Sequence, residues 1–199
     1  PLAEGVNLEV LARSTPGFTG ADLANTINEA AILAARRGKD QVTQDELDEA
    51  VDRVIAGPER RSRVMTEEDR RLTAYHEGGH AVVGHAMPHA DPVHKVTIIP
   101  RGHAGGYTRS LPLTDKVYQK RSELVDELAV ALGGRTAEEI IYGDPSTGAH
   151  SDIQYATNLA RRMVMEYGMS DRLGPMKYGQ PEGEVFLGRD YVRHQDYSD

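Results

Sequence analysis

Cysteine and tryptophan are both absent from this 199-residue chain, and phenylalanine occurs only twice. Without cysteine there is no disulfide, no thiolate nucleophile and no thiolate zinc site, so any metal must be held by His, Asp or Glu. The same absence fits a reducing compartment. Long apolar runs are missing too, so nothing reads as a membrane span, and no signal-peptide pattern opens the chain. A glycine-rich phosphate loop ending in Gly-Lys-Ser/Thr occurs nowhere, which excludes a complete P-loop ATPase. Positive charge is in deficit, with 23 Lys and Arg against 31 Asp and Glu and a formal net charge of −8. That is the wrong sign for a protein that lives on nucleic acid or on an anionic membrane surface. What is present, 39% hydrophobic and 27% charged residues, suits a soluble protein of one large or two small domains. Pro1 in place of an initiator methionine and the polar run from Gln195 to Asp199 lead to the expectation that the chain is a piece of something longer.

The pattern over residues 1–57 is helical throughout. Asn7 can cap a short helix from Leu8 to Arg13, which Pro16 and Gly17 end. Thr19 with Asp22 forms a capping box for a long helix with Leu23, Ile27, Ala30, Ala31 and Ala34 on one face, closed by Gly38. Thr43 with Glu46 opens a third helix through Leu47, Ala50, Val51 and Val54 to Gly57 and Pro58. A bundle this small buries little core and is expected to lean on a partner. Residues 58–65 read as a polar linker; its Arg60, Arg61 and Arg63 fit a solvated connector better than a nucleic-acid patch.

The segment from Thr66 to Met87 carries the chemistry. Thr66 and Asp69 form another capping box, and Pro88 supplies the stop. Inside it lies His76-Glu77-Gly78-Gly79-His80, whose two histidines stand four apart and therefore on one helix face. Two neutral imidazoles so placed can clamp zinc, with Glu77 beside them as general base for an activated water. At about 100° per residue, His85 falls roughly 180° from His76 and 140° from His80, and so cannot join them. His89 follows the helix-ending proline, His94 falls in a strand, and His103 and His194 sit in loop-like surroundings.

Downstream, Val93 to Ile99 is β-branched and bounded by prolines, as a strand near a sheet edge would be, with Tyr107 to Arg109 returning. An extended polypeptide can pair with such an edge through its backbone, although an ordinary hairpin fits the residues equally well. Lys116 to Leu132 reads as a helix broken by Gly133 and Gly134, and Arg135 to Tyr142 as a second, short one. Ser151 with Gln154 is the expected cap of a helix from Asp152 to about Tyr167, with Ala156, Leu159, Ala160, Met163 and Tyr167 inward. Asp152 falls on that inward face, where a carboxylate needs a partner. Spacing leaves His150 as its rival for a metal, and Glu138 and Glu139 as a paired solvated face or an alternative glutamate ligand. The expected fold class is mainly α: a small helical bundle, then a mostly helical domain over residues 66–199 with a short hairpin.

Two sets of motifs resemble known families. Ser14 to Leu23, continuing through Asn28 to Ala31, is similar to the helical lid of AAA-type ATPases, where a Gly-Ala-Asp-Leu turn lies near the adenine. The resemblance places Gly20 and Ala21 in the vicinity of ATP. The HEGGH string, the segment Asp91 to Gly102, Ala131 to Arg135 with Ala137 to Glu139, Ser146 to Asp152, and Gly168 to Ser170 with Leu173 to Pro175 follow the order of the FtsH family. These are membrane-anchored, ATP-dependent zinc metalloproteases, and with the lid the resemblance spans nearly the whole chain.

That resemblance implies Zn²⁺ held by His76, His80 and Asp152, with Glu77 as catalytic acid and base. It implies polypeptide substrates, a homo-hexameric ring, no nucleic acid, and a location on the cytoplasmic side of the bacterial inner membrane. A transmembrane anchor and an ATPase core would lie N-terminal to residue 1, and further helices beyond residue 199. Two positions depart from the pattern: Gly78 where the family has Ala, and Ser151 where it has Asn. Two rival readings are a zinc-stabilised but inactive assembly or chaperone module, against which Glu77 argues, and a metal-free helical binding module with an accidental HEGGH.

Overall fold

A computed structural model describes residues 1–59, 65–102, 104–114 and 116–178. The linker arginines Arg60, Arg61 and Arg63, and His103 and His194, lie outside the described residues. The architecture is mainly α. Among the described residues there are six helices, a 3-10 turn and one two-stranded antiparallel sheet.

The first three helices start where their caps predict. Asn7 accepts from the amides of Glu9 and Val10 ahead of α1 (Leu8–Arg13). Thr19 and Asp22 close a reciprocal box at the start of α2 (Gly20–Arg36), and Gly38 leaves that helix with φ of 68°. Thr43 precedes α3 (Gln44–Ala56). Their apolar stripes meet in a core of Leu11, Ala30, Leu33, Ala34, Val42, Leu47, Ala50 and Val51. Glu46 is fully buried at its edge, yet satisfied: Arg37 lies at 2.5 Å, Lys39 at 2.8 Å, and the Thr43 amide donates to it at 3.1 Å. Burial alone would raise its pKa; the bonds from Lys39, Thr43 and Arg37 outweigh it and bring the value down to about 2.

The second part centres on α4 (Glu67–Ala86) crossing α5 (Arg121–Tyr142), with β1 (Val93–Thr97) and β2 (Tyr107–Ser110) on one side. Helix α6 (His150–Met165) packs on α5 through Leu124, Leu159 and Met163. Thr66 and Asp69 cap α4 as the sequence predicts. The face of α4 that is buried is polar rather than apolar: Glu77, His80 and Gly84 are inside, whereas Tyr75 and Val82 are exposed.

Two expectations fail here. Gly133 and Gly134 do not break a helix; α5 runs unbroken through both, and Lys116 to Lys120 lie outside it. The glycines serve the crossing instead. A Cβ at Gly79 would stand 2.3 Å from the Gly133 carbonyl oxygen, and one at Gly133 would stand 2.8 Å from that of Gly79. Contact that close is closed to any other residue, and its value outweighs the roughly 1 kcal/mol a mid-helix glycine costs. Nor does Ser151 cap α6. The helix begins at His150, two residues before the expected Asp152, and Ser146 caps the preceding 3-10 turn Thr147–Ala149 by accepting from the Gly148 amide. It ends at Met165, within two residues of the expected position.

The adjacent glycines of α4 are separable by experiment. Gly78 has open space around its would-be Cβ, so Gly78→Ala should raise stability by about 0.5–1 kcal/mol. Gly79→Ala should force α4 and α5 apart and lower the thermal midpoint by several degrees, both measured by calorimetry. Glu46 makes a pH prediction. Its folded pKa is depressed, so its contribution is present above its ordinary value of 4.5 and is lost as the pH falls toward about 2. Glu46→Gln should cost about 1 kcal/mol at pH 7, and urea titrations should show that difference vanishing across the same window.

Candidate metal centre

Three donor atoms from two helices converge at the α4–α5–α6 junction. His76 and His80, one turn apart on α4, bring their Nε2 atoms to 3.1 Å of each other. Asp152, in the first turn of α6, places Oδ2 at 3.1 Å from His76 Nε2 and 3.5 Å from His80 Nε2. Tetrahedral zinc with bonds of about 2.0–2.1 Å keeps its ligand atoms about 3.3 Å apart, so the triangle is of the right size.

Protonation makes the same case. His76 Nδ1 lies 2.7 Å from Glu138 Oε1, and His80 Nδ1 lies 2.7 Å from the Val130 carbonyl oxygen. Both outer partners only accept, which puts the Nδ1 proton on each ring and leaves a lone pair on each Nε2. Two lone pairs and a carboxylate oxygen then face one another within 3.5 Å. Such a cluster requires positive charge at its centre. The titration behaviour reflects this. Burial works to lower both histidine pKa values, but Asp152, with Glu138 at His76 and Val130 at His80, raises them above the ordinary value. Burial works to raise the Asp152 pKa, but His76 and His80, when protonated at Nε2, hold its carboxyl well below the usual carboxylate range.

Gly134 closes the floor of the site. A Cβ there would lie 2.6 Å from His80 Nε2 and 2.7 Å from His76 Nε2, in the space the donors enclose. Glu77, between the two histidines in sequence, is buried beside them, and its Oε2 accepts from the Thr108 hydroxyl at 2.8 Å. Burial pushes its carboxyl pKa up, against the pull of that hydrogen bond and of His80 and His76. The group opens on a cleft of about 1240 Å³, lined by β2 on one side and by α5 and α6 on the other.

The structure thus brings His76, His80, Asp152 and Glu77 together. His150 is exposed and takes no part; His85, His89 and His94 are likewise exposed. Glu138 corrects the expectation of a solvated glutamate pair. It is fully buried, and it bridges His76 Nδ1 and the Ser146 amide, the latter at 2.7 Å. The signal for it lay in the phase of α5: read as one continuous helix, Leu124, Leu128, Ala131 and Glu138 share a stripe. Thr108 carried no signal, because its partner is 31 residues away on a different element, α4. Gly20 and Ala21 stand at the start of α2 and are not among the residues lining this cleft.

Comparison with known proteins gives this geometry its context. Residues 63–199 match the family model of peptidase family M41, and residues 5–49 match the AAA+ lid domain. The whole chain is 62% identical to the ATP-dependent zinc metalloprotease FtsH 1 of Thermoanaerobacter sp. (strain X514) and spans 33% of that protein. It is 57% identical to the ATP-dependent zinc metalloprotease FtsH of Bacillus subtilis (strain 168), spanning 31% of it, and 56% identical to FtsH 3 of Symbiobacterium thermophilum, spanning 32%. The chain therefore covers about a third of the length of these relatives, and in all three cases it is matched from end to end. With the M41 match running through well over half of its residues and through every member of the cluster, the chain belongs to peptidase family M41.

Proposed function

We propose that this chain is the proteolytic part, with an adjoining lid, of an ATP-dependent zinc metalloendopeptidase. The observation that carries the reading is the inward-facing triangle of His76 Nε2, His80 Nε2 and Asp152 Oδ2, with both Nδ1 atoms committed to outer acceptors. His76, His80 and Asp152 would hold Zn²⁺, whose Lewis acidity polarises a carbonyl oxygen and makes water acidic near neutral pH. Glu77 acts beside them as acid and base. Its carboxylate takes the proton of the attacking water and returns it to the leaving amine, so one group serves both halves of peptide hydrolysis. Glu138 and Val130 keep the two imidazoles in the donor tautomer and at fixed angle. The cleft accepts an extended polypeptide, and neither strand of the hairpin pairs with a third among the described residues, leaving backbone groups for such a substrate.

The reading divides the chain into a lid at residues 1–57, a connector at 58–65 and a protease domain from 66 to 199. The relatives' names and the lid match support ATP as the energy source, with Gly20 and Ala21 near the nucleotide. The remaining two thirds of a protein of their length would supply the ATPase core and the membrane anchor. A homo-hexamer on the cytoplasmic side of the bacterial inner membrane, feeding unfolded or membrane-extracted proteins to this site, completes the proposal.

Metal analysis and casein cleavage test it on the full-length protein. We expect one zinc per chain. Glu77→Gln should keep that zinc and lose cleavage by about 10²–10⁴-fold; undiminished cleavage would remove Glu77 from the mechanism. Asp152→Ala should lower zinc occupancy, and unchanged stoichiometry would take it out of the ligand set. Glu138→Gln, which keeps an acceptor but removes the charge behind His76, should weaken zinc binding by about 10-fold or more in a chelator competition.

A further inference from the structure

Strand β2 stands between two carboxylates from different parts of the chain. Successive strand residues point to opposite faces. On one side, Arg109 Nη1 lies 3.3 Å from Asp52 Oδ1, and the Tyr107 hydroxyl is buried next to the same carboxylate. Lys95, which faces Arg109 across the hairpin, also pairs with Asp52. Asp52 belongs to α3 and is 1% exposed. On the other side, Thr108 reaches Glu77, its hydroxyl 2.8 Å from Oε2 and 3.1 Å from the Glu77 carbonyl oxygen.

Among the described residues Thr108 is the hydrogen-bond partner of the Glu77 carboxylate, and Gly106 closes in beside it, a Cβ there falling 3.0 Å from Glu77 Cγ. A glutamate side chain has three rotatable bonds, and rotamer freedom at a proton-transferring carboxylate is lost rate. The hydroxyl fixes which way the carboxylate points. Tyr107 and Arg109, which flank Thr108, lie against Asp52 of α3 on the face of β2 opposite Glu77.

We propose that Thr108 is a positioning residue for Glu77, and that β2 transmits to it the setting of Asp52 on α3. The inference rests on the acid–base role assigned to Glu77 above. It gives the helical bundle a direct line to the site: a shift of α3 moves β2, and with β2 the carboxylate.

The test uses the full-length, zinc-loaded protein with labelled casein and ATP. Thr108→Val removes the hydroxyl at constant shape and should lower kcat by about 10–100-fold, with KM within twofold, zinc at one per chain and ATP hydrolysis unchanged. Thr108→Ser should restore most of kcat. A crystal structure of Thr108→Val should show the Glu77 carboxylate turned from its present place. Asp52→Asn should lower kcat when Thr108 is present and add less than twofold to the loss in Thr108→Val; Tyr107→Phe takes its place in this cycle if Asp52→Asn does not fold. Wild-type kcat in Thr108→Val, a serine variant as slow as the valine one, or zinc loss in Thr108→Val would overturn the positioning role. Equal factors for Asp52→Asn with and without Thr108 would overturn the relay. A wild-type protein that neither binds zinc nor cleaves casein would instead sink the underlying functional reading, so the two failures are told apart.

Discussion

Everything at the site depends on how closely α4 approaches α5. Gly79 and Gly133 meet backbone to backbone, with no room for a Cβ on either. Only at that separation can a histidine of α4 reach past its own helix to acceptors on the next. His80 finds the Val130 carbonyl, and His76 finds Glu138, each at 2.7 Å. Push the helices apart by the width of a methyl group and both outer bonds are lost. The Nδ1 protons would then be free to exchange tautomer, and the inward lone pairs that define the cluster would no longer be assured. The candidate metal centre is a property of a helix crossing before it is a property of the three side chains that converge there.

The same crossing explains why the interior face of α4 is polar. Glu77 and His80 are buried where an amphipathic helix would carry leucine. Buried polar groups are costly unless satisfied, and the outer side of the cluster is: His76 and His80 bond through α5 and Glu77 through Thr108, while the two Nε2 lone pairs and Asp152 Oδ2 converge where a cation would satisfy all three. A network in which every member is held by another has few alternative arrangements. Its side chains are set before any substrate arrives, which is the condition electrostatic catalysis requires.

Local signals were legible in the sequence and long-range ones were not. Asn7, Thr19, Thr43 and Thr66 announced four helix starts because a cap is chemistry within three residues. The inward phase of Asp152 was likewise readable from Ala156, Leu159 and Met163, which are buried as expected. Gly133 and Gly134 misled because a glycine pair within a helix carries two meanings, break or close contact, and only the partner helix decides between them. That misreading hid Glu138, since cutting the helix severed it from the stripe it continues. Ser151 misled for a related reason: the 3-10 turn that Ser146 caps runs directly into α6, which is already under way at His150.

The joint between the helical bundle and the hairpin follows a different physical rule from either core. It is made by Asp52 with Lys95 and Arg109, and by Glu49 and Glu59 with Arg101, which is 3% exposed. Buried ion pairs recover little net stability after desolvation, so strength is a poor reason for building a joint this way. Direction is a better one. An apolar contact tolerates sliding, because methyl groups have no preferred partner, whereas a carboxylate held between a lysine and a guanidinium has few positions of equal energy. Asp52 therefore fixes where β2 lies relative to α3, and it does so from the face of the strand opposite Glu77. A bundle attached by charge rather than by oil can hold the hairpin in register. Moving to a second register would require those pairs to break together, so the joint favours discrete positions over gradual drift.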